Sequence, residues 1–200
     1  MSFSSYPQLQ ENIASWMGRD DLATYIPDFI RIFECAAMRR LRVRLQETTT
    51  MLTPSSGVAT LPTDYLGHRR VTWTGSPIHG LDYVPPPLYA AYLESGSGIP
   101  TVFTVEGSSL KVAPSNDTDL TFTYYQRSTA VESSLNWLYT SHFDVYLFGS
   151  LCEANAFNKG KAFQDAALWK TRRDEGFGEI ESAQFNENSG MAVRTIGATP

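Results

Sequence analysis

The sequence predicts an α+β protein with a mainly α-helical core of N-terminal and C-terminal helix pairs, an inserted antiparallel β segment and an extended C-terminal tail. Three observations carry this reading. Apolar residues recur at spacings of three and four near both ends. Between Gln46 and Tyr125 the period changes to two. From Asn186 to Pro200 neither period holds, and apolar content is too low to fold alone. The expected boundaries are helices over 5–44, a β insertion over 45–130 and helices over 141–182. Together these make a single domain of residues 1–185, with a tail over 186–200.

The first helix opens at Ser5-Tyr-Pro-Gln8, a capping-box spacing with proline in the first turn. Leu9, Ile13, Trp16 and Met17 share one face, and Gly18 closes it. Leu22, Ile26, Phe29, Phe33 and Ala36 or Ala37 predict a second helix over about 20–44, making a hairpin with the first. Pro27 costs ~3 kcal/mol in a helix interior, so that helix either starts near Ile26 or bends there.

Gln46 to Leu52 alternates, Pro54-Ser-Ser-Gly57 is a turn, and Val58 to Leu61 is expected to return as the second strand of a hairpin. His68 to Thr74 is a further strand, with Arg69, Val71 and Trp73 expected on one face and His68, Arg70 and Thr72 on the other. Gly75-Ser76 turns the chain into a strand from Ile78 to Val84. Pro85 to Pro87 stops it and starts a short helix, Leu88 to Leu93. Thr101–Val105, Leu110–Ala113 and Leu120–Tyr125 read as a meander, the last strand turning Leu120, Phe122 and Tyr124 to the core. After a cap at Ser141-His-Phe-Asp144, Phe143, Leu147, Leu151 and Ala154 line a helix, widened by Val145, Phe148 and Cys152. The last helix carries Phe163, Ala166, Ala167, Phe177 and Ile180.

At 200 residues, with 42% hydrophobic, 12% aromatic and 18% charged residues, the chain can bury a core without disulfides or metals. The net charge of −5 lacks the basic excess of a dedicated nucleic-acid binder. No apolar run approaches the ~20 residues of a membrane span, and the start lacks a signal-peptide pattern, so folding in a reducing cytoplasm is expected.

Catalytic chemistry finds little purchase. His68, His79 and His142 sit on separate elements without metal-ligand spacing, and Cys35 and Cys152 fall within apolar helical patterns as small buried hydrophobes. No phosphate loop, dinucleotide glycine pattern or nucleophile elbow occurs. A cell-wall glycan hydrolase would need two convergent carboxylates, such as Glu106 and Asp119 on neighbouring strands. A carbohydrate- or receptor-binding module would use Trp73, Tyr83, Tyr89 and Tyr92, which also fit core packing and a subunit interface. The conspicuous charge pattern is a basic cluster, Arg39, Arg40, Arg42 and Arg44, set against Asp174, Glu175, Glu179 and Glu181. The arginines complement a helix C-terminus; equally, the two poles suit head-to-side contacts between copies of the chain.

In order, Ile13-x-x-Trp16, Arg19-Asp-Asp-Leu22, Ile26-Pro-x-Phe-Ile30, Met38-Arg-Arg-Leu-Arg-Val-Arg44, Leu61-Pro-x-Asp-Tyr-Leu66, Tyr124-Tyr125, Asn136-Trp-Leu138 and Asp144-x-Tyr-Leu147 resemble the head-to-tail adaptor proteins of tailed bacteriophages. The resemblance implies a non-enzymatic structural protein of the virion neck, without cofactor or metal. It implies a ring beneath the portal, usually a homododecamer, which extends the DNA channel and offers a surface to the tail tube or nozzle. Double-stranded DNA then passes during ejection without specific binding. It also makes the C-terminal segment the portal-docking element, with Phe185, Met191, Val193 and Ile196 as apolar anchors and Arg194 as a polar one. The chain departs from the pattern at His142-Phe-Asp144, where proline is expected before the aspartate, and in the glycine-containing end with Gly190 and Gly197.

Overall fold

The computed structural model describes residues 5–93, 98–158 and 163–188. The chain divides into two compact units, residues 1–43 with 129–200, and residues 44–128.

The first unit is helical. Helix α1, Tyr6–Met17, is capped as its sequence dictates: the Ser5 side chain accepts from the Gln8 amide, and Gly18 ends it at φ 60°. That left-handed conformation is one that glycine adopts without steric cost. A 3-10 segment, Asp20–Tyr25, then leads into α2, Ile26–Arg40, with Pro27 in its first turn. Of the two ways to place that proline, the chain uses the helix start, where the missing N–H would have no intrahelical partner anyway. The helix ends at Arg40, short of residue 44. Leu41 and Val43 are both buried around exposed Arg42, and this period-two demand draws the backbone into an extended conformation. The Arg42 guanidinium then donates to the carbonyls of Met38 and Leu41 (2.6 and 2.7 Å), partners for the free end of the helix.

Helix α4, Trp137–Ser141, was not evident in the sequence. Asn136 caps it by accepting from the Tyr139 amide (3.0 Å), so Ser141 is its last residue rather than the cap of the next helix. Helix α5, Phe143–Phe157, buries Val145, Tyr146, Leu147, Gly149, Ser150, Leu151 and Ala154. Helices α1, α2, α4 and the C-terminal helix all pack against it, so its buried surface is broader than the expected stripe, and Phe143 lies outside it at 39% exposure. Helix α6, Ala166–Asn188, begins later and runs further than its apolar stripe indicated. Phe163 precedes it and packs on Trp169, while Trp169, Gly176, Phe177 and Ile180 make its buried face and Ala167 is exposed. Two glycines permit the closest approaches: a Cβ on Gly149 would lie 2.2 Å from the Phe33 ring, and one on Gly176 would lie 2.5 Å from Val145 Cγ2.

The second unit holds a seven-stranded sheet of order β1-β7-β3-β4-β5-β6-β2. Its strands are β1 Glu47–Leu52, β2 Val58–Thr60, β3 Tyr65–Trp73, β4 His79–Tyr83, β5 Val102–Glu106, β6 Ser109–Ala113 and β7 Leu120–Gln126. All neighbours are antiparallel except β4 and β5.

Two expectations about pairing fail. The first hairpin closes only at its tip. Ser55 and Val58 exchange backbone bonds around Ser56 and Gly57, both at positive φ, but β1 then pairs with β7 and β2 with β6, at opposite edges of the sheet. Pro54, which lacks an amide hydrogen, cannot continue a ladder away from that turn. The meander is likewise broken, since β7 leaves β6 and inserts between β1 and β3. The core-facing assignment for β7 holds, with Leu120, Phe122 and Tyr124 buried. In β3, register shifts beside Leu66 and Arg69 break the alternation, so Arg69 is exposed while Val71 and Trp73 are buried. Helix α3, Pro86–Leu93, packs through Tyr89, whose hydroxyl donates to the Val112 carbonyl (2.8 Å).

Candidate functional site

The expected tail anchors Met191, Val193, Arg194 and Ile196 lie outside the described residues, and Phe185 falls in α6 with its side chain likewise outside them. The helix continues to Asn188, beyond the tail boundary expected at 186, because Ala183, Gln184 and Glu187 are good helix formers.

The structure separates the residues of the two charge poles. Arg40 and Glu181 already meet within one chain: Nε and Nη2 of Arg40 donate to the two Glu181 oxygens (2.7 and 3.2 Å), and the guanidinium lies 4.4 Å from the Phe177 ring centre. These bonds hold the Glu181 carboxyl below its usual pKa. Arg42 serves the end of α2, and Arg44 lies beyond the helix in a 3-10 turn, Arg44–Gln46. On α6, Arg173 Nη2 lies 2.9 Å from Asp174, and Arg172 Nη1 lies 3.7 Å from Glu175. Arg39 and Glu179, both exposed, have no ion-pair partner among the described residues.

Beside Arg39, the outward side of α2 forms an open, largely apolar groove of about 580 Å³, walled by Tyr25, Phe29, Ile32 and Phe157 with Asp28, Arg31 and Cys35 along it. The Phe157 ring stacks obliquely on Tyr25 (4.9 Å) and Phe29 (5.4 Å), so the end of α5 closes one side. Ile32 is 52% exposed, on the side of the helix away from the buried Ile26, Phe29, Ile30 and Phe33. Cys35 is exposed as well, contrary to its expected burial, because it lies on this outer stripe; Cys152 is half-buried, and burial raises its thiol pKa. The signal for the groove was present in sequence as Ile32, an apolar residue off the core stripe.

Behind the groove, the inner side of α2 anchors the segment that leads into α4. Glu34 Oε1 accepts from the Val131 amide (2.7 Å) and the Tyr146 hydroxyl (2.9 Å). Asn136 Nδ2 donates to that same hydroxyl oxygen (2.6 Å) and to the Thr129 carbonyl (2.9 Å). Burial raises the pKa of both Glu34 and Tyr146, the latter also because ionised Glu34 lies beside it. No period in the sequence marks such a network, since its members come from three separate segments.

The geometry does not assemble the other candidate sites. Glu106 and Asp119 are not on neighbouring strands, because β3 and β4 stand between β5 and β7; Glu106 pairs with Lys111, and Asp119 accepts from Thr53 (2.7 Å). Of the candidate ligand-binding aromatics, Trp73 and Tyr89 are buried in different clusters, while Tyr83 and Tyr92 are exposed. The histidines are engaged structurally: His68 stacks on Tyr83 at 4.5 Å, His79 bridges the carbonyls of Pro77 and Pro100 (3.0 and 2.7 Å), and His142 contacts Trp137 at 6.5 Å. Among the described residues no group of three or more His, Cys, Asp or Glu could hold a metal ion. No helix among them is long and apolar enough to cross a membrane.

What remains on the helical unit is a set of exposed apolar and charged faces on a packed bundle, suited to contact with other proteins. No curated protein matches the chain. The family model described as SU10 adaptor protein matches residues 4–195, nearly the whole chain, with the helical unit, the sheet and the C-terminal helix all inside the match. The protein belongs to the SU10 adaptor family.

Proposed function

We propose that the protein is a structural, non-enzymatic adaptor of the bacteriophage neck, binding beneath the portal as a ring of twelve copies. The ring extends the DNA channel and supplies the attachment surface for the tail tube or nozzle. Family membership over residues 4–195 is the observation that carries this reading. The exposed groove on α2 supports it, because an apolar surface of this kind on a small bundle marks a site of protein contact. So does α3, an uncharged helix of Pro, Leu, Tyr and Ala that buries only Tyr89 among its residues. The charge agrees with passage of DNA rather than grip: twelve copies at −5 each carry about −60, which disfavours tight phosphate binding.

In this role the chain folds in the host cytoplasm, and Phe185, Met191, Val193, Arg194 and Ile196 dock on the portal. A sparse set of apolar anchors in a polar segment suits docking on a partner's surface. Deleting residues 186–200 tests the assignment. The truncated protein is expected to fold as a soluble monomer that no longer joins portal rings; unchanged assembly overturns the docking role.

A further inference from the structure

Resting on the ring reading above, we propose that the groove on α2 receives the outer ridge of α6 from a second copy of this chain, with Leu168 in the apolar pocket and Glu179 on Arg39. The two faces belong to different helices on α5, so the contact is heterologous and repeats around a ring instead of stopping at a dimer.

Complementarity fixes the occupant. The groove offers apolar walls at Tyr25, Ile32 and Phe157 and a cation at its far end, Arg39. The exposed ridge of α6 offers an apolar side chain at one end, Leu168 at 49% exposure, and an anion at the other, Glu179. Asp28 to Arg39 and Leu168 to Glu179 are the same eleven-residue step, about 16 Å at ~1.5 Å per residue. Eleven residues complete about three turns, so each pair of positions stays on one face of its helix. Laid parallel, the two helices bring Leu168 beside Asp28 and Phe29 and carry Glu179 to Arg39. Arg172 then lies within side-chain reach of Asp28. The charges this register uses at its far end, Arg39 and Glu179, are exposed, opposite in sign and without ion-pair partners among the described residues. Arg40 and Glu181, by contrast, are satisfied within the chain and drop out of the contact.

Cysteine crosslinking tests this directly, because Cys35 already lies in the groove and is exposed. In a Cys152→Ser background, Glu175→Cys supplies the matching thiol, because the register that sets Leu168 beside Asp28 sets exposed residue 175 beside Cys35. Treated with a short bismaleimide under assembly conditions, with portal rings present, this protein is expected to give a ladder of covalent species extending past the dimer. Adding Cys35→Ser should abolish the ladder. As an independent arm, Arg39→Glu or Glu179→Arg should each weaken self-assembly about five- to ten-fold, and the two together should restore it. Rings that form normally but yield no species beyond those of the Cys35-only control overturn this contact and leave the ring reading standing. A chain that shows no self-association, alone or on portal rings, overturns both.

Discussion

Replacing Gly149 with alanine probes the tightest contact in the helical unit. The added Cβ would lie 2.2 Å from both Cδ2 and Cε2 of Phe33 and 2.8 Å from its Cγ. Carbon atoms in contact sit ~3.5–4.0 Å apart, so the ring must retreat by about 1.3 Å or more. It has little room: Phe33 is 2% exposed, with Tyr146 at 5.3 Å and Phe177 at 6.1 Å between ring centres. Overpacking costs ~1–3 kcal/mol, and a clash this close in a fully buried ring belongs near the top of that range; replacing a helix-interior glycine returns up to ~1 kcal/mol, leaving a net loss of about 2 kcal/mol. For a chain of this size that lowers Tm by roughly 4–8 °C. Thermal and urea unfolding, followed by helical ellipticity, measure it. Phe33→Leu should cost less in the Gly149→Ala background than in the wild type, with a coupling of about 1 kcal/mol, because the new methyl fills part of the space the ring leaves. A Gly149→Ala protein as stable as the wild type, or additive effects in the pair, would mean that the Phe33 ring is free to move aside.

The Glu34 network predicts an unusual pH response. Since burial raises the Glu34 pKa, the folded chain keeps a proton that the unfolded chain has released just above the ordinary carboxylate range. Stability from this group is therefore full below that range and falls as pH rises through the raised value, by less than the ~1.4 kcal/mol per pH unit of a fully sequestered carboxyl because solvent still reaches it. Glu34→Gln keeps an acceptor for Val131 and Tyr146 while removing the charge, and should flatten the Tm-against-pH curve at mildly acidic pH; Glu34→Ala strands both donors and should cost ~1–3 kcal/mol. At the exposed Arg40–Glu181 pair, Glu181→Gln should cost only ~0.2–1 kcal/mol, a loss that vanishes in high salt and as pH falls through the carboxylate range. Arg40→Ala should cost more, since it also uncovers the Phe177 ring. Chemical denaturation of these two variants at two salt concentrations checks the ordering.

What the sequence made legible were elements whose physics is local. The Ser5 cap, the Gly18 stop, the proline-set start of α2 and the inward face of β7 follow from neighbouring residues and were read correctly. Strand partners were not local. Ser55 to Val58 carries a hairpin turn and makes one, yet where β1 and β2 go next depends on the edges that β7 and β6 present more than fifty residues away. Trp169 shares a helical face with Gly176, Phe177 and Ile180, but a stripe phased on Ala166 and Ala167 passes it by. The same holds for the surfaces. The arginine and acidic clusters were visible, but not that Arg40 and Glu181 satisfy each other while Arg39 and Glu179 have no ion-pair partner among the described residues. Cys35 looked like a core residue, but the helix phase turns it outward beside Ile32, the one sign of this outer face in the sequence.

As a neck adaptor, the chain is expected to assemble on a portal. Cryo-electron microscopy of the purified protein mixed with portal rings from its own phage tests that most directly. The prediction is a closed ring of copies seated on one end of the portal, coaxial with its channel, with α2 of each copy against α6 of the next. Bare portal rings beside free monomers, at protein concentrations well above those of assembly, would contradict it.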